Sequence, residues 1–273
     1  DYHKDFASYL KAKKIFFDQL KKEAFALTNS DDKNGMVILQ NCKAEKHTYS
    51  IRSLGDFSAR IIENQINGLN LQIDGRDVWF RLTGQFNAYN LLAIYGTAVL
   101  LGQNPDEVLS YLSNITSVDG RFDICKSSEE ITAIIDYAHT PDALLNVLRT
   151  IKEINTDHGR IITVVGAGGN RDKKKRPEMA RIAAEYSDQV ILTSDNPRFE
   201  KAEDIIKDMK DGLNFQDSKK TISITNREEA IKTAYALARA KDIILIAGKG
   251  HETYQEIEGV RHHFDDKELI NKL

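Results

Sequence analysis

Cysteine is scarce in this sequence. Only Cys42 and Cys125 occur among 273 residues. Two thiols make neither a disulfide framework nor a zinc site, and they fit a reducing cytoplasm. Long hydrophobic runs are missing too. None approaches the roughly 20 apolar residues of a membrane span, so no membrane partner is expected. Neither sign of charge dominates. Lys and Arg number 38 against 41 Asp and Glu, giving a net charge of −3. That balance gives no electrostatic case for nucleic acid or anionic lipid. No internal repeat and no low-complexity tract is visible. The opening DYHKDFASYLKAKK lacks a signal-peptide core and a methionine, and enters helical periodicity at once. It reads as the start of a fragment cut from a longer chain.

What is present is an ordinary globular composition, 41% hydrophobic and 29% charged, over a length sufficient for two domains. Phe6, Leu10, Ile15, Phe16 and Leu20 are spaced for one face of an amphipathic helix over 5–25. Short strands are expected at MVILQ (36–40) and HTYSIRS (47–53). A hairpin runs from LNLQID to DVWFRL with Asp74-Gly75 at its turn. GQFNAYN opens an apolar helix that stops at Gly102. A second helix runs from Pro105 to Asn114, and SVDGR (117–121) reads as a linker.

Beyond Arg121 the pattern becomes a regular alternation. The strands are ITAII, IITVV, QVILT, TISIT and DIILIA, with helical segments between them. Apolar strands without polar alternation are covered on both faces, so the class is α/β with a mostly parallel sheet. In such a sheet, ligands bind beyond the carboxyl ends of the strands. The segments there are DYAHTPD, GAGGNRD, SDNPR and GKGHE. Four strands thus deliver glycines, charges and histidines to one edge.

GAGGNRDKKKRP (166–177) is neither a Walker A loop nor a GxGxxG fingerprint, but its glycines permit close backbone approach to a ligand. Arg171, Lys173, Lys174 and Lys175 oppose the helix dipole unless an anion offsets them. SDNPR supplies more than an Asx-Pro turn needs. Asp195 can accept from an ammonium, and Arg198 can hold a carboxylate in its planar fork. Glu252 of GKGHETYQ is a second acceptor. His251 reads equally well as a structural histidine. In DYAHTPD, Asp136 ends a strand, Pro141 opens the next helix, and Thr140 or Asp142 caps it.

The segments DYHKDFASYLKAKKIFF, GQFNAYN, GRFD, IIDYAHTPDAL, GAGGNRDKKKRPEM, TSDNPRFE, GKGHETYQEI and HHFDDKE span almost the whole chain. In that order they resemble the Mur ligase family, in particular its branch that adds the third amino acid to UDP-N-acetylmuramoyl-L-alanyl-D-glutamate. The resemblance implies a partial central ATPase domain at 1–118, followed by a Rossmann-like C-terminal domain at 119–273. The uridine-nucleotide domain, the P-loop and a magnesium-binding His are not in the chain. The fragment alone is therefore expected to be inactive, and its opening half the less stable.

By the same resemblance, ATP and Mg2+ are the cofactors, and the glutamate carboxylate is activated as an acyl phosphate. Lys13 matches the lysine that is carbamylated and holds magnesium. Asn90, supported by Asn87, lies near adenine, Arg121 near the ATP phosphates, Asp136 at the ribose and His139 near the nucleotide. Arg171, Asp195, Asn196, Arg198, Gly248 and Glu252 bind the incoming amino acid. The sequence DNPR implies meso-diaminopimelate, because Arg198 meets a far carboxylate that L-lysine lacks; a buried Arg without its anion is costly. Asn170 departs from the Asp common in the family. A monomer in the cytoplasm is implied. The alternatives are the same ligase using L-lysine or a thioether analogue, a related Mur-type ligase, and a truncated amino-acid-binding module. A generic Rossmann nucleotide-binding protein fits poorly, because DYAHTPD lacks the glycines for pyrophosphate.

Overall fold

A computed structural model describes residues 5–273. The chain divides into two compact units, residues 1–116 and 117–273. The Asp1-Tyr2-His3 start of the first family segment lies outside the described residues.

The first unit opens with α1 (Phe6–Asp18), capped by Asp5, whose side chain accepts from Ser8 N–H at 2.7 Å. The helix is shorter than the expected 5–25, and none of its residues is buried. Phe6, Ile15 and Phe16 stay exposed rather than forming a core-facing stripe. Leu20, the last residue of the expected stripe, lies beyond the helix and packs with Phe17 against Ala26, Leu39, Cys42 and Ala44, before β1 (Phe25–Asn29) begins. MVILQ is not a strand but the short helix α2 (Gly35–Ile38). The reason is topological: β1 and β2 (Glu45–Ser50) pair in parallel. A parallel pair needs a crossover connection, and this segment lies within it.

The sheet continues through β3 (Phe57–Gln65), β4 (Gly68–Ile73) and β5 (Arg76–Phe80), in the order β1-β2-β3-β4-β5. Asp74 and Gly75 both have positive φ, 49° and 78°. That suits the tight turn whose twist matches its strands. Tyr95 closes the turn by donating to Asp74 Oδ2 at 2.5 Å. Helices α3 (Gln85–Leu100) and α4 (Pro105–Ser113) contribute Leu91, Leu92, Tyr95, Leu109 and Leu112 to a core shared with Leu69, Leu71, Ile73 and Phe80. Burying each such side chain contributes about 1.5–3 kcal/mol.

The second unit is a six-stranded sheet with helices between its parallel strands. Its strands are β6 (Asp123–Lys126), β7 (Thr132–Asp136), β8 (Ile161–Ala167), β9 (Gln189–Ser194), β10 (Thr221–Ser223) and β11 (Ile243–Ala247). The order is β10-β9-β8-β11-β7-β6, parallel except for β6. The helices are α5 (Pro141–Ile154), α6 (Lys175–Tyr186), α7 (Ala202–Lys210), α8 (Phe215–Lys219), α9 (Arg227–Leu237) and α10 (Asp266–Ile270). A separate hairpin, β12 (Tyr254–Ile257) and β13 (Val260–His263), follows β11. Strand β8 is buried along its whole length and β11 likewise, as strands covered on both faces should be. The register levels the strand ends: Ala247 pairs with Asp136 and Val165, and Val165 with Leu192. Four loops therefore leave the sheet at one height. Among the described residues, no helix is long and apolar enough to cross a membrane.

Candidate active site

The loops after β7, β8, β9 and β11 are tied together by their backbones. Gly248 N–H donates to Asp136 O at 3.0 Å, and Gly169 N–H donates to Asn196 O at 2.9 Å. Gly169 is required at this approach, because a Cβ there would stand 1.9 Å from Pro197 O. Gly248 has φ 117°, and a Cβ on it would stand 2.6 Å from Asp195 Oδ2. The missing side chain lets the Asp195 carboxylate lie against the GKGHE loop. The other Asp195 oxygen accepts Asn196 N–H at 2.5 Å.

Asn196 is only 2% exposed. Its Nδ2 donates to Glu252 Oε2 at 2.8 Å, and its Oδ1 accepts from Glu256 N–H at 2.9 Å. The amide thus braces the loop of β9 against that of β11. Lys249, which the sequence reading passed over, is fully buried. Its Nζ reaches Asn196 Oδ1 at 3.3 Å, Glu252 Oε2 at 3.4 Å and the Tyr254 carbonyl. One Glu252 oxygen is thereby engaged from below. The other meets the Tyr137 hydroxyl at a loose 3.5 Å, and remains an acceptor for an incoming donor.

Arg198 sits at φ 54° and continues into the hairpin, bridging to Ile257. Its N–H donates to Glu256 O at 3.0 Å, and its carbonyl accepts from Glu258 N–H at 2.6 Å. The guanidinium lies over the glycine loop, with Nη1 donating to Gly169 O at 2.9 Å. Arg171 leaves the same loop on an exposed stretch. Glu200 offsets part of the basic start of α6, and Asp208 pairs with Arg176 at 2.7 Å as well. Glu200 accepts from Asn170 N–H at 2.6 Å and from Arg176 at 2.8 Å, and pairs with Lys173 at 3.2 Å. Asn170 holds the loop's far side by accepting Phe199 N–H at 3.1 Å.

On the other flank, Asp136 is buried at the end of β7. Its Oδ1 accepts Ala138 N–H at 2.7 Å and its Oδ2 accepts Phe122 N–H at 2.8 Å. Burial raises its pKa, and these two N–H groups work against the rise. Each oxygen retains a lone pair for a further donor. Arg121 lies 4.5 Å over the Tyr137 ring, and His139 packs on that ring at 4.6 Å. His139 Nδ1 is 2.8 Å from Tyr137 O, and Lys175 Nζ donates to His139 O at 2.8 Å. Burial lowers the Lys175 pKa, while the Asp195 charge opposes this. Thr140 caps α5 by accepting Ala143 N–H.

Arg121, Asp136, His139, Arg171, Asp195, Asn196, Arg198, Gly248 and Glu252 all belong to this edge of the second unit. Asn87, Asn90 and Lys13 belong to the first. Asn90 Nδ2 donates to Asn87 Oδ1 at 3.2 Å, and Asn87 Nδ2 to Thr83 O at 2.9 Å, in the first turns of α3. Lys13 is exposed on α1, its Nζ 5.5 Å from the Tyr9 ring centroid. Among the described residues, no group of three or more His, Cys, Asp or Glu is placed to hold a metal ion.

Residues 120–250 match the Mur ligase glutamate ligase domain, and residues 1–98 match the Mur ligase middle domain. The chain is 60% identical over its whole length to a UDP-N-acetylmuramoyl-L-alanyl-D-glutamate--2,6-diaminopimelate ligase of Parabacteroides distasonis, covering 56% of that protein. It is 56% identical to the Bacteroides thetaiotaomicron ligase of the same name, covering 57%. A solved structure of a ligase with that name aligns at TM-score 0.63 and 35% identity, over 99% of this chain and 57% of that one. The chain thus spans little more than half the length of these relatives. Folylpolyglutamate synthase of Thermotoga maritima shares the fold, at TM-score 0.68 and 16% identity over 89% of this chain and 56% of its own. With both its units matched in order, the chain belongs to the Mur ligase family.

Proposed function

We propose that the longer protein carrying this chain joins meso-diaminopimelate to UDP-N-acetylmuramoyl-L-alanyl-D-glutamate at the expense of ATP. In this reading residues 1–118 are the tail of the ATP-binding domain and 119–273 the amino-acid-binding domain. The observation that carries it is the junction of the β9 and β11 loops through Asn196 and Glu252. That junction sets two carboxylates, Asp195 and Glu252, in the same loop cluster as the Arg198 guanidinium. A zwitterionic end of a diamino diacid needs this combination: acceptors for its ammonium and a planar fork for its carboxylate. Arg171 adds a second cation from the glycine loop. Asn196 and Lys249 position Glu252.

ATP supplies the phosphoryl group that makes the glutamate carboxylate an acyl phosphate, which the amine of the incoming amino acid then attacks. The residues of this chain bind and orient. Asp136 has acceptor capacity left for ribose hydroxyls, and Arg121 and His139 flank it through Tyr137. Asn87 and Asn90 are assigned to the adenine side. For magnesium, a candidate ligand among the described residues is Lys13, whose exposed amine can take up CO2 and become an oxygen donor of the kind magnesium prefers.

The test is phosphate release by the full-length protein with ATP, magnesium and the UDP-muramoyl dipeptide, comparing meso-diaminopimelate with L-lysine. Release with diaminopimelate alone is expected. Arg198→Ala should cut diaminopimelate use sharply and leave the KM for ATP in place. Efficient release with L-lysine would overturn the assignment of Arg198 while keeping the ligase.

A further inference from the structure

The guanidinium to which this reading gives the far carboxylate of the amino acid has an anion beside it already. Arg198 Nε lies 3.7 Å from Glu256 Oε2, and the two side chains are only 22% and 20% exposed. At that distance the contact is one of charge with charge, not a closed hydrogen bond. Nη1 is directed elsewhere, to Gly169 O. The strand does not depend on the Glu256 carboxylate. Its backbone is fixed on both sides, N–H to Asn196 Oδ1 at 2.9 Å and carbonyl to Arg198 N–H at 3.0 Å. The carboxylate is therefore a separable part, held against Arg198 by a backbone that stays in place without it.

We propose that Glu256 sets amino-acid specificity as a resident counter-ion of Arg198. This rests on the reading that Arg198 receives the far carboxylate of diaminopimelate. Charge alone fixes the direction. When an amino acid without that carboxylate binds, Glu256 keeps the shielded guanidinium paired and softens the cost of leaving it without an anion. When diaminopimelate binds, Glu256 repels the arriving carboxylate. Both effects narrow the gap between the two amino acids. Arg198 creates the discrimination and Glu256 limits it.

The experiment is Glu256→Gln in the full-length ligase, followed by steady-state phosphate release. Gln keeps the backbone bonds and nearly the same volume. The KM for meso-diaminopimelate should fall by about threefold to tenfold, the range of a partly screened like charge. The preference for diaminopimelate over L-lysine should rise by a similar factor, with the KM for ATP unchanged. In an Arg198→Ala background the pairing contribution is gone and only the repulsion of the far carboxylate remains, so the same substitution should raise the preference by less than it does beside Arg198. An unchanged or reduced preference overturns the proposal, as does a parallel rise in KM for both amino acids, which marks a purely structural role. If the unaltered ligase releases no phosphate with diaminopimelate, or is indifferent to Arg198→Ala, the underlying reading fails instead, whatever Glu256→Gln does.

Discussion

Arg227 and Asp266 form an ion pair in which neither side chain has any exposure, with Nη2–Oδ2 at 2.7 Å and Nε–Oδ1 at 2.8 Å. The same guanidinium donates to Ala247 O at 3.2 Å and reaches Ser194 O at 3.5 Å. These carbonyls end β11 and β9, so the pair fastens the two strands that deliver GKGHE and SDNPR. Burial opposes the charge on Arg227, and Asp266 overrides it, raising the pKa of the guanidinium. Removing one partner strands a buried charge. Asp266→Ala should lower folding stability by about 3–5 kcal/mol. Arg227→Met combined with Asp266→Leu should recover part of that loss but not all, since two carbonyls lose a donor. Urea denaturation of the three proteins checks this; a double variant no better than the single would contradict it.

On the proposed function, Gly248→Ala should damage amino-acid binding selectively. The added methyl would meet Asp195 Oδ2 at 2.6 Å on a backbone at φ 117°. Strain of about 1–3 kcal/mol is expected for a side chain at such a dihedral. In the full-length ligase the KM for the amino acid should rise by about tenfold or more, with the KM for ATP nearly constant. Equal losses in both would show general misfolding of the edge.

Glu200 gives a pH signature. Arg176 holds its carboxyl down to about 2 from 4.5, aided by Asn170 N–H and Lys173 and opposed by burial. A carboxylate with a depressed native pKa contributes stability above its unfolded pKa, and loses it as pH falls through the native one. The difference in Tm between the unaltered chain and Glu200→Gln should therefore be full above pH about 4.5 and shrink toward pH 2. A difference that is flat across this window would dismiss the ion pair as its source.

Helix α1 should be weaker than α3, the long helix of the first unit. It has 13 residues and buries none, and isolated helices of about that length are marginal in water. In the 273-residue chain its amides should exchange with deuterium well before those of α3, which buries Ala88, Leu91, Leu92, Tyr95 and Gly96. Equal protection would mean that α1 is held by more than its own hydrogen bonds.

The sheet of the second unit was legible because its central strands are apolar runs with both faces covered; Ile161–Val165 and Ile243–Ala247 leave no other reading. The turn at Asp74-Gly75 was legible from chemistry local to two residues. The crossover at Gly35–Ile38 was not, because its β-branched run states a preference that the parallel pairing of its neighbours overrides. Strand β3 hid behind a register shift between Ile61 and Glu63. Within the site, the charges at strand ends could be read as a set. Lys249 and Arg227 could not, since buried cations look like surface ones until the fold supplies Asn196, 53 positions away, and Asp266, 39 away. Glu256 was hidden for a similar reason, in a short polar hairpin with no periodicity to single it out.

The bridge from Arg198 to Ile257 makes the tetrad and the hairpin a single cassette. The backbone of Arg198 is stitched on both sides to residues of the hairpin, so a transplant of SDNPR alone would carry the guanidinium without the scaffold that aims it. A chimera built to change the amino acid handled by such a ligase has to exchange residues 194–199 and 254–263 together. Inheritance of specificity in this fold would then follow two separated segments as one linked unit.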